Sequence, residues 1–210
     1  MPLMKSTFLN EQSTKEALAK FILEAKQLSM GEQVAAFEAE FAAFQGAKNA
    51  ILVNSGGSAN LAMLQTLKNL GRLKDGDTIG FSALTWSTNV MPILQLGMQP
   101  VPIDCDRTTL NSMAQHLKQR LGETDLQALF ITNALGFSGD LENIRDICNE
   151  NHIILIEDNC EALGSIYRGR KLGNFGLAST FSFYVGHHMS TVEGGAVCTD
   201  DKELSDMLML

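Results

Sequence analysis

Residues 180–197 read TFSFYVGHHMSTVEGGAV. A strand-like run drops into a glycine-punctuated loop holding two of the chain's four histidines, and a second strand-like run follows. The two runs, extended to ASTFSFY (178–184) and GAVCT (195–199), are separated by roughly ten residues, too few for the helical crossover that joins parallel neighbours. The second run is therefore expected to lie antiparallel to the first.

Upstream the pattern is different. Short β-branched runs at AILV (50–53), TIGF (78–81), PVPID (100–104), ALFIT (128–132) and IILIED (153–158) alternate with stretches of helical period at 58–73, 89–97, 112–122 and 141–152. Repetition of this kind implies right-handed parallel crossovers with helices on both faces of one sheet. IILIED is the most apolar of the runs and reads as a strand buried on both faces. The expectation is an α/β fold built on a mixed sheet of about seven strands, the last one antiparallel. Before the first strand, residues 30–46 form an amphipathic helix with Val34, Phe37, Phe41 and Phe44 on one face. The stretch LSDMLML (204–210) is apolar, helical in pattern and uncapped, and is expected to continue in a longer protein.

Of the 210 residues, 45% are hydrophobic and 19% charged, which suits a chain with a sizeable core and argues against disorder. The net charge of −8, with no cluster of Lys or Arg, argues against a nucleic-acid partner. The first residues contain no apolar leader and no run long enough to span a bilayer, so no membrane partner and a cytoplasmic location are expected. The four cysteines have neither CxxC nor zinc-type spacing and read as reduced and structural, Cys148 and Cys160 in apolar contexts.

Four stretches could carry chemistry. NSGGSANL (54–61) lies where a strand gives way to a helix; it reads equally as a serine-capped turn or as an anion seat at a helix N-terminus. EDNCEALG (157–164) closes the most buried strand with Glu157, Asp158 and Glu161. It is either a solvated carboxylate group or, at the carboxyl end of a sheet strand, a partner for a protonated ring nitrogen. LTWSTN (84–89) holds the only tryptophan, which either stacks on a planar ring or packs at the rim. The His187–His188 pair would need further ligands for a metal, with Glu193 and Cys198 nearby, yet adjacent histidines rarely point the same way. A structural loop histidine and a general base are the other two readings.

Taken together, NSGGSANL, TWSTN, EDNCEALGS, GNFG and FSFYVGHHMSTVEGG resemble, in order and spacing, the DegT/StrS-type nucleotide-sugar aminotransferase family. These are vitamin B6 enzymes of the aspartate aminotransferase fold (fold type I), and the resemblance runs from about residue 10 to the end. It implies that Gly57 and Ser58 hold the cofactor phosphate, with Ser182 as a further ligand. Trp86 would stack on the pyridine ring, Asp158 would pair with its nitrogen, and Glu161 would lie near its phenolic oxygen. One position departs from the family pattern FSFxxxKxxxxxEGG: His187 stands where the aminotransferases have the lysine that forms an imine with pyridoxal phosphate. Imidazole cannot form that bond. Lys171 is close in sequence, but its segment has the same form in relatives that keep the lysine, so a swapped role is not expected.

Histidine at this position resembles the small branch of pyridoxamine 5'-phosphate-dependent sugar 3-dehydratases. That resemblance implies a lyase of deoxysugar (lipopolysaccharide O-antigen type) biosynthesis acting on a nucleotide-linked 4-keto sugar. His187 would take a proton from the cofactor's methylene carbon, and electron flow through the ring would expel the C3 hydroxyl. His188 has no assigned role. Glutamate as amino donor and a homodimer are further expectations. So is a division into an N-terminal segment (1–30), a cofactor-binding large domain (31–210) and a small C-terminal domain beyond Leu210. The competing readings are an ordinary sugar aminotransferase, opposed by the absent lysine, and an inactive fragment that still dimerises.

Overall fold

Period-two runs and period-3.6 runs alternate along the chain, and each becomes one layer element. The computed structural model describes residues 8–210. In chain order the elements are α1 (Glu11–Glu24), α2 (Glu32–Gln45), β1 (Asn49–Val53), α3 (Gly56–Asn69), β2 (Thr78–Ser82), α4 (Ser87–Gln95), β3 (Gln99–Ile103) and α5 (Ala114–Leu121). They continue with β4 (Ala128–Thr132), α6 (Leu141–Glu150), β5 (Ile154–Asp158), β6 (Ile166–Tyr167), β7 (Arg170–Lys171), β8 (Ala178–Ser182), β9 (Gly195–Thr199) and α7 (Lys202–Leu208).

Seven strands form one sheet in the order β1-β9-β8-β5-β4-β2-β3. β2, β3, β4, β5 and β8 are parallel, while β9 runs antiparallel to both neighbours, β1 and β8. The expected antiparallel last strand is therefore wedged inside the sheet, one place from its edge. Two features were not read from the sequence: helix α1, none of whose residues is buried, and the two-residue hairpin β6–β7.

Helices cover both faces. On one, Ala59, Met63, Leu64 and Leu67 of α3 pack with Ile93 of α4 and Leu204 of α7 over Phe130, Ile156 and Val197. On the other, α5 and α6 cover Leu129, Ile131 and Leu155, and Phe41 of α2 stands edge-on to Phe181 and Phe183. Each fully buried Leu, Ile or Phe contributes roughly 1.5–3 kcal/mol of transfer free energy. Phe44 stacks on Phe41 along the same face of α2 but is about half exposed. Its ring carries the Lys171 ammonium, 3.9 Å from the centroid.

Candidate active site

All the sheet strands except β9 end on the same side, and the register aligns those ends. Gly195, at the start of β9, pairs with Val53 on one side and Ser182 on the other; Asp158 pairs with Thr180 and Thr132. In open α/β sheets this rim of carboxyl ends is where ligands bind.

Helix α3 starts immediately beyond β1. Ser55 caps it, its Oγ accepting the Ser58 N–H at 3.1 Å, and the first-turn N–H groups have no intrahelical partner. Glycine here answers to space. A Cβ on Gly56 would lie 2.6 Å from Ser182 Cβ and 3.0 Å from Cys160 Sγ, and one on Gly195 would lie 2.4 Å from the Ser55 carbonyl carbon. The strand β9 thus presses against the helix start, and Ser182 reaches it from β8. A Cβ on Gly57 would meet Thr88 Cγ2 at 3.3 Å, so α4 closes the other flank. Gly57, Ser58 and Ser182 therefore share one helix N-terminus, a geometry that suits an anion.

The two carboxylates that close β5 part company, because successive residues on a strand point to opposite faces. Glu157 is fully buried, and its oxygens accept the backbone N–H groups of Gly173 (2.9 Å), Phe175 (2.7 Å) and Gly176 (2.9 Å) and the Asn133 amide (3.1 Å). Burial raises its pKa against the pull of those four donors. Its role is to fix the GNFG loop. Asp158 faces α3 and α4. Its Oδ2 accepts Nδ2 of Asn89 at 2.7 Å and of Asn60 at 3.3 Å, and its Oδ1 accepts the Cys160 N–H at 2.9 Å.

His187 sits in the loop between β8 and β9, half-buried, with its backbone N–H donated to the Tyr184 carbonyl at 2.9 Å. The Tyr184 ring stands edge-on to the imidazole, centroids 6.1 Å apart. Burial lowers the imidazole pKa; Glu161 and Asp158 pull it upward, and His188 adds to the lowering. The net effect favours the neutral base. His188 itself is exposed. Glu161 is exposed at the rim, with Oε2 accepting the Leu135 N–H at 3.1 Å. Trp86 is 73% exposed and immediately precedes α4. Lys171 is turned elsewhere, its ammonium donating to the Phe44 carbonyl. Cys198 lies in the core beside Phe41 and Phe181, on the α2 face.

Two neighbours of Asp158 were within the quoted motifs but unassigned, Asn60 and Asn89, both fully buried. A signal existed: Asn60 occupies an inward position on α3 among Ala59, Met63, Leu64 and Leu67. Cys160, expected in an apolar setting, lies instead beside Asp158 and the α3 start, and burial pushes its thiol well above the ordinary value, with Asp158 adding to the effect.

The site suits a pyridoxal-type cofactor. Among the described residues no lysine or arginine forms an ion pair with Asp158, and a buried carboxylate without a counter-cation is costly. A protonated ring nitrogen would supply that cation, and the α3 terminus is suited to a phosphate.

The model of the DegT/DnrJ/EryC1/StrS aminotransferase family matches residues 10–210. The chain is 38% identical over 190 residues to a GDP-4-keto-6-deoxy-D-mannose 3-dehydratase of Escherichia coli O55:H7, covering 90% of this chain and 49% of that protein. It is 37% identical over 211 residues to a dTDP-4-dehydro-2,6-dideoxy-D-glucose 3-dehydratase of Saccharopolyspora spinosa, covering 99% and 45%. A crystal structure of a GDP-4-keto-6-deoxymannose-3-dehydratase with a trapped PLP-glutamate geminal diamine superposes with a TM-score of 0.91 at 37% identity, over 99% of this chain and 53% of that one. The chain spans about half the length of the curated relatives it matches.

Proposed function

The chain belongs to the DegT/DnrJ/EryC1/StrS aminotransferase family, and on that premise we propose that the protein removes the C3 hydroxyl of a 4-keto-6-deoxy nucleotide sugar, using pyridoxamine 5'-phosphate held without a covalent bond. One observation carries this reading: a half-buried histidine, His187, occupies the lysine position of the family motif, within electrostatic reach of Glu161 and Asp158. The similarity to two 3-dehydratases acting on different nucleotide sugars supports the reaction type and leaves the nucleotide open.

Bound pyridoxamine phosphate supplies an amine for the 4-keto group and a ring that accepts an electron pair. Gly57, Ser58 and Ser182 hold its phosphate, Trp86 covers the ring, and Asp158 holds the proton on the ring nitrogen. Glu161, its carboxylate fixed by the Leu135 N–H, faces the phenolic oxygen. His187, kept neutral by burial, accepts a proton and can return it to a departing hydroxyl. Residues 31–210 form the cofactor-binding domain, preceded by an N-terminal segment whose helix α1 buries none of its own residues.

Glutamate is the amino donor that regenerates the cofactor, and the protein works as a cytoplasmic homodimer in surface-polysaccharide sugar synthesis. The exposed apolar side chains Leu84, Trp86, Met91 and Leu94 support self-association. Among the described residues no helix is long and apolar enough to cross a membrane.

The test uses full-length protein incubated with pyridoxal phosphate and then borohydride. Intact-mass measurement is expected to find no cofactor fixed to the chain, whereas the H187K variant becomes labelled at position 187. Labelling of Lys171 or any other lysine in the unmodified protein refutes the proposal.

A further inference from the structure

Asp158 is gripped by two amides that no motif reading assigned. Asn60 comes from α3 and Asn89 from α4, and both donate to the same oxygen, Oδ2, at 3.3 and 2.7 Å. The second hydrogen of the Asn60 amide goes to the Thr88 carbonyl at 3.1 Å, tying α3 to α4 beside the carboxylate. Both side chains are fully buried, and both leave their Oδ1 atoms without a partner.

That last fact matters. A buried carbonyl oxygen without a donor is unfavourable, and an apolar residue of the same size would avoid it. Asn60 sits within the apolar face of α3, where leucine would extend the packing of Met63 and Leu64. The amides therefore make poor sense as packing residues and good sense as donors to a carboxylate. With the Cys160 N–H, Asp158 receives three N–H groups and no described lysine or arginine. Donors converging on one carboxylate fix its orientation.

We infer that Asn60 and Asn89 are positioning residues, a two-helix clamp that holds the Asp158 carboxylate aimed so that a protonated ring nitrogen can pair with it. This rests on the reading of Asp158 given above. It also couples two parts of the site: α3 begins at the anion seat, so the residue that starts at the phosphate end and the residue that steadies the ring partner stand about one turn apart on one helix.

The experiment loads the full-length protein with pyridoxal phosphate labelled with 15N in the ring and reads the ring-nitrogen chemical shift at neutral pH. In the unmodified protein the nitrogen is expected to be protonated. Asn89→Leu and Asn60→Leu are each expected to move the shift toward the unprotonated value, the shorter bond of Asn89 giving the larger movement. The same variants should lower kcat at least about tenfold while the sugar KM changes less than about threefold. Should the leucine variants fail to accumulate as folded protein, Asn89→Ser and Asn60→Ser remove the amide without adding apolar bulk and must give the same shift. A protonated nitrogen in every variant, with kcat retained, overturns the clamp. An unprotonated nitrogen in the unmodified protein refutes the assignment of Asp158 itself, a result visible before any variant is made.

Discussion

On the proposed function, His187 carries the choice between amino transfer and dehydration, and its surroundings set the pH at which it would act. Burial lowers its pKa below the ordinary imidazole value, so the neutral base persists on the acid side of neutrality. The acid limb of kcat is expected below about pH 6.5, and His187→Asn should cost about 100- to 10,000-fold in kcat and abolish that limb. The same shift has a stability consequence of definite sign. The unfolded chain binds the proton more tightly, so this group's contribution is intact above the unfolded value and is lost as pH falls toward the folded one. Urea unfolding between pH 7 and pH 5 reads it as a falling midpoint that His187→Asn flattens. At this scale the sequence offered the motif residues, and the resemblance a role for Asp158, but none for Glu157. Glu157 and Asp158 are adjacent acids on a strand buried on both faces, and no pattern announces which one holds a loop and which faces the helices. Asn60 and Asn89 escaped because a single polar residue on an apolar helix face looks like an interruption until its partner is known.

Among the elements, the meeting of β9 with the start of α3 is the tightest joint. Gly195 pairs with both Val53 and Ser182 and leaves no room for a side chain against Ser55 and Gly56. Gly195→Ala is expected to destabilise the fold by about 1–3 kcal/mol through overpacking, read by denaturant unfolding, and to weaken pyridoxal phosphate binding in equilibrium dialysis by displacing the helix N-terminus. The strands and crossover helices were readable because each apolar run is bounded by turn residues and each helix has one face to bury. The hairpin β6–β7 was not, since two residues per strand carry no period. Helix α1 was not either: Leu18, Phe21 and Ile22 recur at helical spacing, but the chain buries none of its residues.

For the molecule as a whole, the thiols report how closed the structure is. Burial pushes Cys148 and Cys198 up to about 12 and Cys160 well above its ordinary range. Cys105 is only partly covered, with the Leu84 N–H pointing at its sulfur. Brief iodoacetamide treatment of native protein at neutral pH is expected to modify Cys105 and spare the other three, all four reacting in denaturant; peptide mapping distinguishes the sites. The position of β9 has a further consequence, for how the chain reaches this state. β1 is made early yet, among the described residues, pairs with β9 alone, and Asn49 bonds to Thr199 across 150 positions of sequence. The parallel strands β2, β3, β4, β5 and β8 can assemble as synthesis proceeds, but β1 must wait with its edge unpaired until β9 arrives. Closing so long a loop is slow, and an unsatisfied strand edge is exposed to other chains in the meantime. The anion seat at the start of α3 is therefore among the last parts of the molecule to exist, completed by the strand that ends the wait.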